Sequence, residues 1–181
     1  MMILIVVLII LLAVYLYMIA PEKNHPDASF IDGWLYAHRG LHDGNKKVIE
    51  NSMEAFRLAV DKGYGMELDV QLTADHRLIV HHDGNTKRVC GVDAQISRTA
   101  YADLPLLPDG EAIPTFDEVL SLVGGRVPLI VEVKPDGSPT ANAAAAWEAL
   151  KAYAGPYCVE SFHPMAVRYF RKNAPQVVRG Q

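Results

Sequence analysis

Ionisable side chains that suit acid–base and metal chemistry recur at the ends of short apolar runs in this chain. In sequence order these groups are His38-Arg39-Gly40, Glu67-Leu68-Asp69, His82-Asp83 and Glu132-Val133-Lys134. Two histidines can exchange protons near neutral pH, carboxylates bind hard cations, and an Arg or a Lys supplies the fixed positive charge that binds a phosphate. Any one group arises by chance on a solvated strand, but all four in this order on successive runs form a specific pattern.

Strand geometry should bring the acidic residues together. Side chains alternate along a β-strand, so Glu67 and Asp69 share one face of their strand, and Glu132 and Lys134 share one face of another. Three carboxylates that face one volume repel one another, which raises the pKa of each unless a cation lies between them. Oxygen ligands select Mg²⁺ or Ca²⁺ rather than zinc. The pattern therefore predicts a divalent-cation site.

The remaining histidines have a structural interpretation. His81 has the opposite strand parity to His82, so we expect it to face the helices rather than the carboxylates. A lone histidine is more often a hydrogen-bonding residue than a catalytic one, and His42, His76 and His163 are assigned that structural role.

The coarse pattern is one of strands that alternate with helices. Five β-rich runs are predicted at residues 35–38, 65–72, 78–82, 128–134 and 157–162, and a sixth opens at 176–178. Helix starts are predicted from capping boxes at Asn51–Glu54 and Thr115–Glu118, an alanine-rich helix over Ala141–Tyr153, and a further helix over Pro164–Asn173. This alternation predicts an α/β fold with a parallel sheet.

One connection does not fit that alternation. Only five residues, 73–77, separate Leu72 from Leu78, which leaves no room for a helix. Pattern alone indicates a β-hairpin at this join. Two parallel strands joined by an extended link remain the alternative.

The motif order resembles the glycerophosphodiester phosphodiesterase family, part of the superfamily of phosphatidylinositol-specific phospholipase C. The resemblance runs from about Tyr36 to Val178. Beyond the four groups above, it includes Glu50-Asn51-Ser52, Gly65–Thr73, Ile113-Pro114-Thr115 and Ser161-Phe162. It implies a (β/α)₈ TIM-type barrel that lacks the helix between strands 2 and 3. That fold favours parallel strands with an extended link over residues 71–77, and not the hairpin.

The resemblance also implies roles for the residues of the four groups. Metal ligands would be Glu67, Asp69 and Glu132, the catalytic pair His38 and His82, and the phosphate-binding residues Arg39 and Lys134. The implied reaction is hydrolysis of a glycerophosphodiester to sn-glycerol 3-phosphate and an alcohol, with Mg²⁺ or Ca²⁺ as cofactor. The glycerol hydroxyl attacks phosphorus while one histidine takes its proton and the other protonates the leaving alcohol, and water then opens the cyclic phosphate.

Two other functions remain open. A lysophospholipase D would use the same site on a different substrate. A non-catalytic, membrane-anchored barrel fragment would need no intact site, and the complete set of site residues argues against it. Release of glycerol 3-phosphate from glycerophosphocholine, with and without chelator, distinguishes these functions.

The first 20 residues carry no charge and are dominated by Leu, Ile and Val, which predicts a transmembrane helix over residues 1–20. A cleaved signal peptide is the alternative, but no basic residue precedes the apolar run. Basic residues follow it, which favours a single-pass membrane protein with its domain on the cytoplasmic side. Cys90 and Cys158 are the only cysteines, as suits a reducing compartment.

Length and charge bound the rest. A formal net charge of −4 argues against a nucleic-acid partner. The family resemblance implies a small phosphodiester substrate as the expected partner. Residues 21–34 are predicted to be a linker, and residues 35–181 a phosphodiesterase domain. An eight-stranded barrel usually needs about 250 residues, so we expect the barrel to be truncated after about strand 6. We therefore expect the domain to be C-terminally incomplete, aggregation-prone and weakly active. The oligomeric state has no signal in the sequence.

Overall fold

The structure is a computed structural model that describes residues 2–19 and 26–181. The first described segment is helix α1 (Met2–Ile19), whose side chains from residue 3 to residue 17 are exposed. Within the described residues, no helix is long and apolar enough to cross a membrane. The predicted membrane span over residues 1–20 is therefore not supported by the described residues. Residues 1 and 20–25, which include part of the predicted linker, lie outside the described residues.

Six strands form one sheet in the described part of the chain. They are β1 (Tyr36–His38), β2 (Gly65–Leu72), β3 (Leu78–Val80), β4 (Leu129–Val133), β5 (Tyr157–Glu160) and β6 (Arg179–Gly180). The sheet order is β1-β2-β4-β5-β6, and each neighbouring pair in that order is parallel. Because parallel strands end at the same edge of the sheet, side chains at their carboxyl ends lie close together.

Helices connect successive parallel strands. They are α2 (Met53–Asp61), α3 (Lys87–Cys90), α4 (Phe116–Val123), α5 (Pro139–Leu150) and α6 (Pro164–Asn173). The connection from β1 to β2 contains α2, that from β4 to β5 contains α5, and that from β5 to β6 contains α6. The predicted α/β fold with a parallel sheet is confirmed.

Helix starts follow the capping chemistry of the sequence. Thr115 and Glu118 form the predicted capping box at the start of α4. The cap of α2 is Ser52, whose hydroxyl accepts a hydrogen bond from the Ala55 N–H at 3.1 Å, so the predicted Asn51–Glu54 box is wrong by one residue. An N-cap side chain satisfies a backbone donor that the helix itself leaves unpaired, which explains why these polar residues mark the helix starts.

The core lies between the sheet and the helices. The face of β2 opposite the carboxylates carries Met66, Leu68 and Val70, each fully buried. An aromatic side chain from each of three helices joins the same cluster, namely Phe56, Phe116 and Phe170. Burial of one face fixes which residues of β2 point away from the core, because a slip of one residue would expose the whole apolar set.

The join between β2 and β3 is a hairpin. Val70 pairs with Val80 and Leu72 with Leu78 in antiparallel register, and the Thr73 N–H donates to the Arg77 carbonyl at 3.0 Å to close the turn. The absence of a helix in this join is confirmed. The parallel return that the family resemblance favoured is wrong, because β4, and not β3, occupies the parallel position beside β2 over residues 66–70.

A longer excursion follows the hairpin and has its own small core. Four buried residues of this segment pack together with Ile79 of β3 and Ile49, which precedes α2; the four are Val89, Ile96, Leu107 and Ile113. This second cluster fixes α3 beside the ends of the strands. At the other end of the sheet order, the predicted sixth strand over 176–178 is displaced, because β6 forms at Arg179–Gly180.

Candidate active site at the ends of the strands

The two carboxylates of β2 are both buried on the face opposite the core. Glu67 is 7% exposed and Asp69 is not exposed at all. Asp69 is held by positive and polar groups: its Oδ2 accepts a hydrogen bond from Asn51 Nδ2 at 2.8 Å, and its Oδ1 lies 3.3 Å from Lys134 Nζ. The guanidinium Nε of Arg39 lies 3.7 Å from the same Oδ2. These partners balance the charge of a carboxylate that water does not reach.

Three glutamates form a separate acidic cluster beside Asp69. Glu67, Glu132 and Glu160 each offer a carboxylate oxygen, and these atoms lie within 4.8 Å of one another. Glu132 stands in register with Asp69 on one side and with Glu160 on the other. The sequence analysis did not predict Glu160 as a site residue. The feature that could have indicated it is its position at the end of β5, one residue before the Ser161-Phe162 motif. Of the predicted metal ligands, Glu67 and Glu132 belong to this cluster. Asp69 instead lies beside the side chains of Lys134 and Arg39.

The acidic cluster has the electrostatics of a cation site. Burial, the charge of Asp69 and the charge of Glu132 together raise the pKa of Glu67 to about 8. Burial raises the pKa of Glu160 as well, and the charges of Glu132 and Asp69 add to the effect. Carboxylate oxygens are the ligands that Mg²⁺ and Ca²⁺ prefer, so the donor set fits a hard divalent cation. A bound cation would offset the repulsion that now favours protonation.

Lys134 lies between the acidic residues at the end of β4. Its Nζ donates a hydrogen bond to Glu132 Oε1 at 2.8 Å, and only 8% of the residue is exposed. Burial alone would lower the pKa of this amine, but the hydrogen bond to Glu132 and the charge of Asp69 outweigh burial and raise the pKa. Lys134 is therefore a fixed cation at the site.

The two histidines of the predicted pair have different surroundings. His38 ends β1 with a largely exposed side chain, and its Nε2 lies 3.8 Å from Glu67 Oε2. Burial and the neighbouring Arg39 lower the pKa of His38, and the charge of His82 lowers it further. His82 follows β3, and its Nδ1 lies 2.7 Å from Asp83 Oδ1. The carboxylate takes the Nδ1–H, which leaves Nε2 of His82 free to exchange a proton with a substrate.

The hairpin positions His82. The His81 N–H donates to the Asp69 carbonyl at 2.9 Å, so the strand returns to the level of the carboxylates. Gln71, fully buried, donates from Nε2 to the carbonyls of His81 and Asp83 at 2.7 and 2.8 Å. His81 itself is buried, in keeping with its opposite parity to His82.

The other histidines have local structural roles. The ring Nδ1 of His42 accepts from the Gly44 N–H, and that of His163 accepts from the Met165 N–H at the start of α6. His76 lies in the hairpin turn with a φ of +60°. The side-chain hydrogen bonds of His42 and His163 agree with their predicted structural roles, and the role of His76 stays a prediction.

Arg39 adopts a backbone conformation that is unusual for a residue with a side chain. Its φ is +59°, and in that conformation its N–H donates to Glu67 Oε2 at 2.9 Å. Its Nη1 donates to Glu50 Oε1 at 3.0 Å. Gly40 follows with a φ of +76°, and a Cβ there would lie 2.8 Å from the Cβ of Ala55. Strain of this kind concentrates at functional sites, where the surrounding contacts hold it in place.

Family membership follows from comparison with known proteins. The sequence model of the glycerophosphoryl diester phosphodiesterase family matches residues 38–181. The chain belongs to this family. The resemblance predicted from the motif order is therefore confirmed, and the phosphodiesterase match covers all the strand ends described above.

Two curated relatives match the chain over about half of its length. Human lysophospholipase D GDPD1 is 39% identical over 100 residues, which cover 54% of this chain and 31% of the human protein. A glycerophosphodiester phosphodiesterase of Caldanaerobacter subterraneus is 36% identical over 111 residues, which cover 55% of this chain and 44% of that protein. The chain therefore spans less than half the length of either relative.

Solved phosphodiesterase structures share the fold. A glycerophosphodiester phosphodiesterase from Parabacteroides distasonis superimposes with a TM-score of 0.71 at 27% identity, over 81% of this chain and 63% of that chain. A phosphodiesterase from Oleispira antarctica, in complex with the product sn-glycerol-3-phosphate, gives a TM-score of 0.71 at 28% identity, over 81% and 64% of the two chains.

Proposed function

We propose that this chain hydrolyses glycerophosphodiesters to sn-glycerol 3-phosphate and an alcohol. The observation that carries the proposal is the assembly, at one edge of the sheet, of His38, the His82–Asp83 pair and a cluster of buried glutamates. Family membership and the product complex of the Oleispira antarctica relative support the same chemistry.

The proposed metal site uses the acidic residues. Glu67 and Glu132 would hold a divalent cation, Mg²⁺ or Ca²⁺, with Glu160 beside them and Asp69 within reach if Lys134 moves toward the substrate. Such a cation lowers the pKa of a coordinated hydroxyl and offsets charge on phosphoryl oxygens.

The proposed acid–base pair is His38 and His82. Asp83 holds the Nδ1–H of His82 and stabilises the imidazolium that forms when Nε2 accepts a proton. The glycerol hydroxyl next to the phosphoester attacks phosphorus, one histidine accepts its proton, and the other protonates the leaving alcohol. Water then opens the cyclic phosphate with the two roles reversed.

Positive charge for the phosphate comes from Arg39 and Lys134. Both side chains now lie against carboxylates, since Arg39 contacts Glu50 and Asp69, and Lys134 contacts Glu132 and Asp69. If a phosphate and a metal cation bind together, Arg39 and Lys134 can contact the phosphate while the metal cation contacts the carboxylates. No buried charge is then left unpaired.

A lysophospholipase D is the second candidate function. It is favoured by the human, rat and mouse relatives of that name, which are 38–39% identical to this chain over 100 residues. Choline release from glycerophosphocholine and from lysophosphatidylcholine, measured side by side on the full chain, tests the two substrates. Turnover of the lysolipid alone would replace the first proposal with the second.

The compartment remains a prediction. The cytoplasmic placement, drawn from the basic residues that follow the apolar segment, predicts that an impermeant thiol reagent leaves Cys90 unlabelled in intact cells. Labelling of Cys90 would contradict it.

A further inference from the structure

Arg88 lies outside the sheet and outside every predicted site group, yet its guanidinium contacts two acidic residues of the site. It belongs to α3 in the excursion that follows the hairpin. Its Nη1 and Nη2 donate to the two oxygens of Glu50 at 2.8 and 2.6 Å, and its Nε donates to Asp83 Oδ2 at 2.7 Å. Three N–H groups of one planar guanidinium thus donate hydrogen bonds to two carboxylates.

Each of those carboxylates has a second partner in the site. Asp83 uses Oδ2 for Arg88 and Oδ1 for His82 Nδ1, so each oxygen holds one neighbour. Glu50 accepts from Arg39 Nη1 at 3.0 Å through the same Oε1 that binds Arg88. Asn45 Nδ2 donates to its other oxygen at 2.8 Å. A continuous chain of contacts therefore runs from His82 through Asp83, Arg88 and Glu50 to Arg39.

The chain of contacts is balanced in charge and partly shielded from water. Two arginines face two carboxylates, and the Glu50 side chain is only 6% exposed, whereas that of Arg88 is 45% exposed. Burial would raise the pKa of Glu50, but the hydrogen bonds from Arg88 and Asn45 outweigh it and hold the pKa well below its ordinary value. Burial would raise the pKa of Asp83 too, and hydrogen bonds from Arg88 and His82 reverse that effect. Both carboxylates therefore stay charged and keep their hydrogen bonds at neutral pH.

We propose that Arg88 is a positioning residue that orients both the proton-transfer histidine His82 and the phosphate-binding Arg39. It acts through Asp83 on one side and through Glu50 on the other, and contacts no reacting atom itself. This inference rests on the proposed function for its kinetic consequence only.

A guanidinium is required because of its geometry. Its planar N–H groups bind a carboxylate in a bidentate manner and leave Nε for the second carboxylate, whereas the ammonium of a lysine is a point charge on a flexible stem. Lysine at this position would keep the charge and lose the fixed angle between Glu50 and Asp83. Asp83 would then rotate away from His82, and Arg39 would become the main cation for Glu50.

The test compares R88K and R88A with wild type in the full chain, with K87A as the matched control. Lys87 lies next to Arg88 on α3, and its side chain is 69% exposed in a 3.9 Å ion pair with Asp93. We expect R88K to keep the wild-type Tm and to lower kcat on glycerophosphocholine by about 10–100-fold, the loss that follows misplacement of catalytic groups. Added guanidinium should restore part of the activity of R88A, and K87A should behave as wild type.

A second readout needs no turnover. The Nδ1–H proton of His82, hydrogen-bonded to Asp83, should give a downfield nuclear magnetic resonance signal in wild type and K87A that is lost or broadened in R88K. A wild-type chain without turnover but with this pattern would contradict the proposed function and leave the role of Arg88 supported. Wild-type kcat together with an unchanged His82 signal in R88K would overturn the role of Arg88.

Discussion

At the residue scale, the alternation of side chains along the strands predicts on which face of the sheet the acidic residues and Lys134 lie. The alternation along β2 and β4 correctly placed Glu67, Asp69, Glu132 and Lys134 on the face away from the core, because apolar burial permits only one register. Parity could not find Glu160, since its position depends on how β5 aligns with β4 rather than on its own strand.

Arg88 was beyond sequence reasoning for a different physical reason. It reaches Glu50 across 38 residues, from a short helix whose position depends on the second apolar cluster. No periodic pattern describes an irregular segment of that kind, so its side-chain contacts could not be predicted. The catalytic role of His82 stays a prediction, and the sequence pattern assigned no role to its partner Asp83.

The histidine pair gives the first residue-scale prediction. H82A should lower kcat by about 10²–10⁴-fold with little change in KM, because general acid–base catalysis contributes that factor. H81A should lower Tm, since His81 is buried, and change kcat much less. Steady-state kinetics with thermal melts of both variants separates the two effects. A larger loss of kcat in H81A than in H82A would contradict the assignment.

The acidic cluster gives the second residue-scale prediction. E67Q and E160Q should each weaken binding of Mg²⁺ or Ca²⁺ by about 10–100-fold, the typical cost of disturbing the immediate surroundings of a metal. Isothermal titration calorimetry measures the affinity, and E148Q is the control, because Glu148 is an exposed residue of α5 paired with Lys151. Unchanged affinity in E160Q, with loss in D69N, would restore the ligand set predicted from sequence and exclude Glu160.

At the element scale, local chemistry specified the helices better than the strand connections. Thr115 and the proline at the start of α6 gave helix starts that are observed. The Thr115 hydroxyl accepts a hydrogen bond from a backbone N–H, whereas Pro164 has no N–H that would need a partner. The hairpin between β2 and β3 was also indicated by local pattern, and the family-level argument for a parallel link was wrong. The five-residue turn over residues 73–77 makes β3 antiparallel to β2. The long segment between β3 and β4 then lets β4 pair with β2 in parallel.

Gln71 supplies the element-scale prediction. Gln71→Met keeps the length of the side chain and removes the amide that binds the carbonyls of His81 and Asp83. We expect a loss of about 1–3 kcal/mol in unfolding free energy, because buried carbonyls lose their donor, and a lower kcat because His82 lies between them. Urea denaturation and kinetics measure these, with the exposed Gln95→Met as control. Wild-type stability and kcat in Q71M would show that the hairpin end is held by other contacts.

At the scale of the whole molecule, the described residues form an open sheet with β1 and β6 at its edges. The parallel sheet and the family were predictable, since alternating elements and ordered motifs are distributed along the whole domain. The truncation of the barrel, the domain boundaries at residues 20 and 34, and the expected tendency to aggregate remain predictions.

Acid stability is the prediction at this scale. The folded-state pKa of Glu50 lies below its ordinary value of 4.5. The stabilisation that ionised Glu50 adds to the free energy of unfolding is therefore fully present above pH 4.5 and is lost as the pH falls through the folded-state pKa. E50Q should unfold more easily at neutral pH, by about 2–3 kcal/mol because Arg88 is partly exposed, and should lose less stability on acidification. Urea melts at neutral and acidic pH measure both, with the exposed Glu54→Gln as control. Parallel pH profiles for E50Q and wild type would contradict the role of this ion pair.

The central claim, that the clustered glutamates and His82 form a cation-dependent phosphodiesterase site, is tested most directly by release of glycerol 3-phosphate from glycerophosphocholine. The full chain should release it with Mg²⁺ or Ca²⁺, lose activity on exhaustive chelation and recover it when the cation returns, while H82A stays about 10²–10⁴-fold slower than wild type with the cation present. Full release after chelation, or release by H82A at the wild-type rate, would contradict the account.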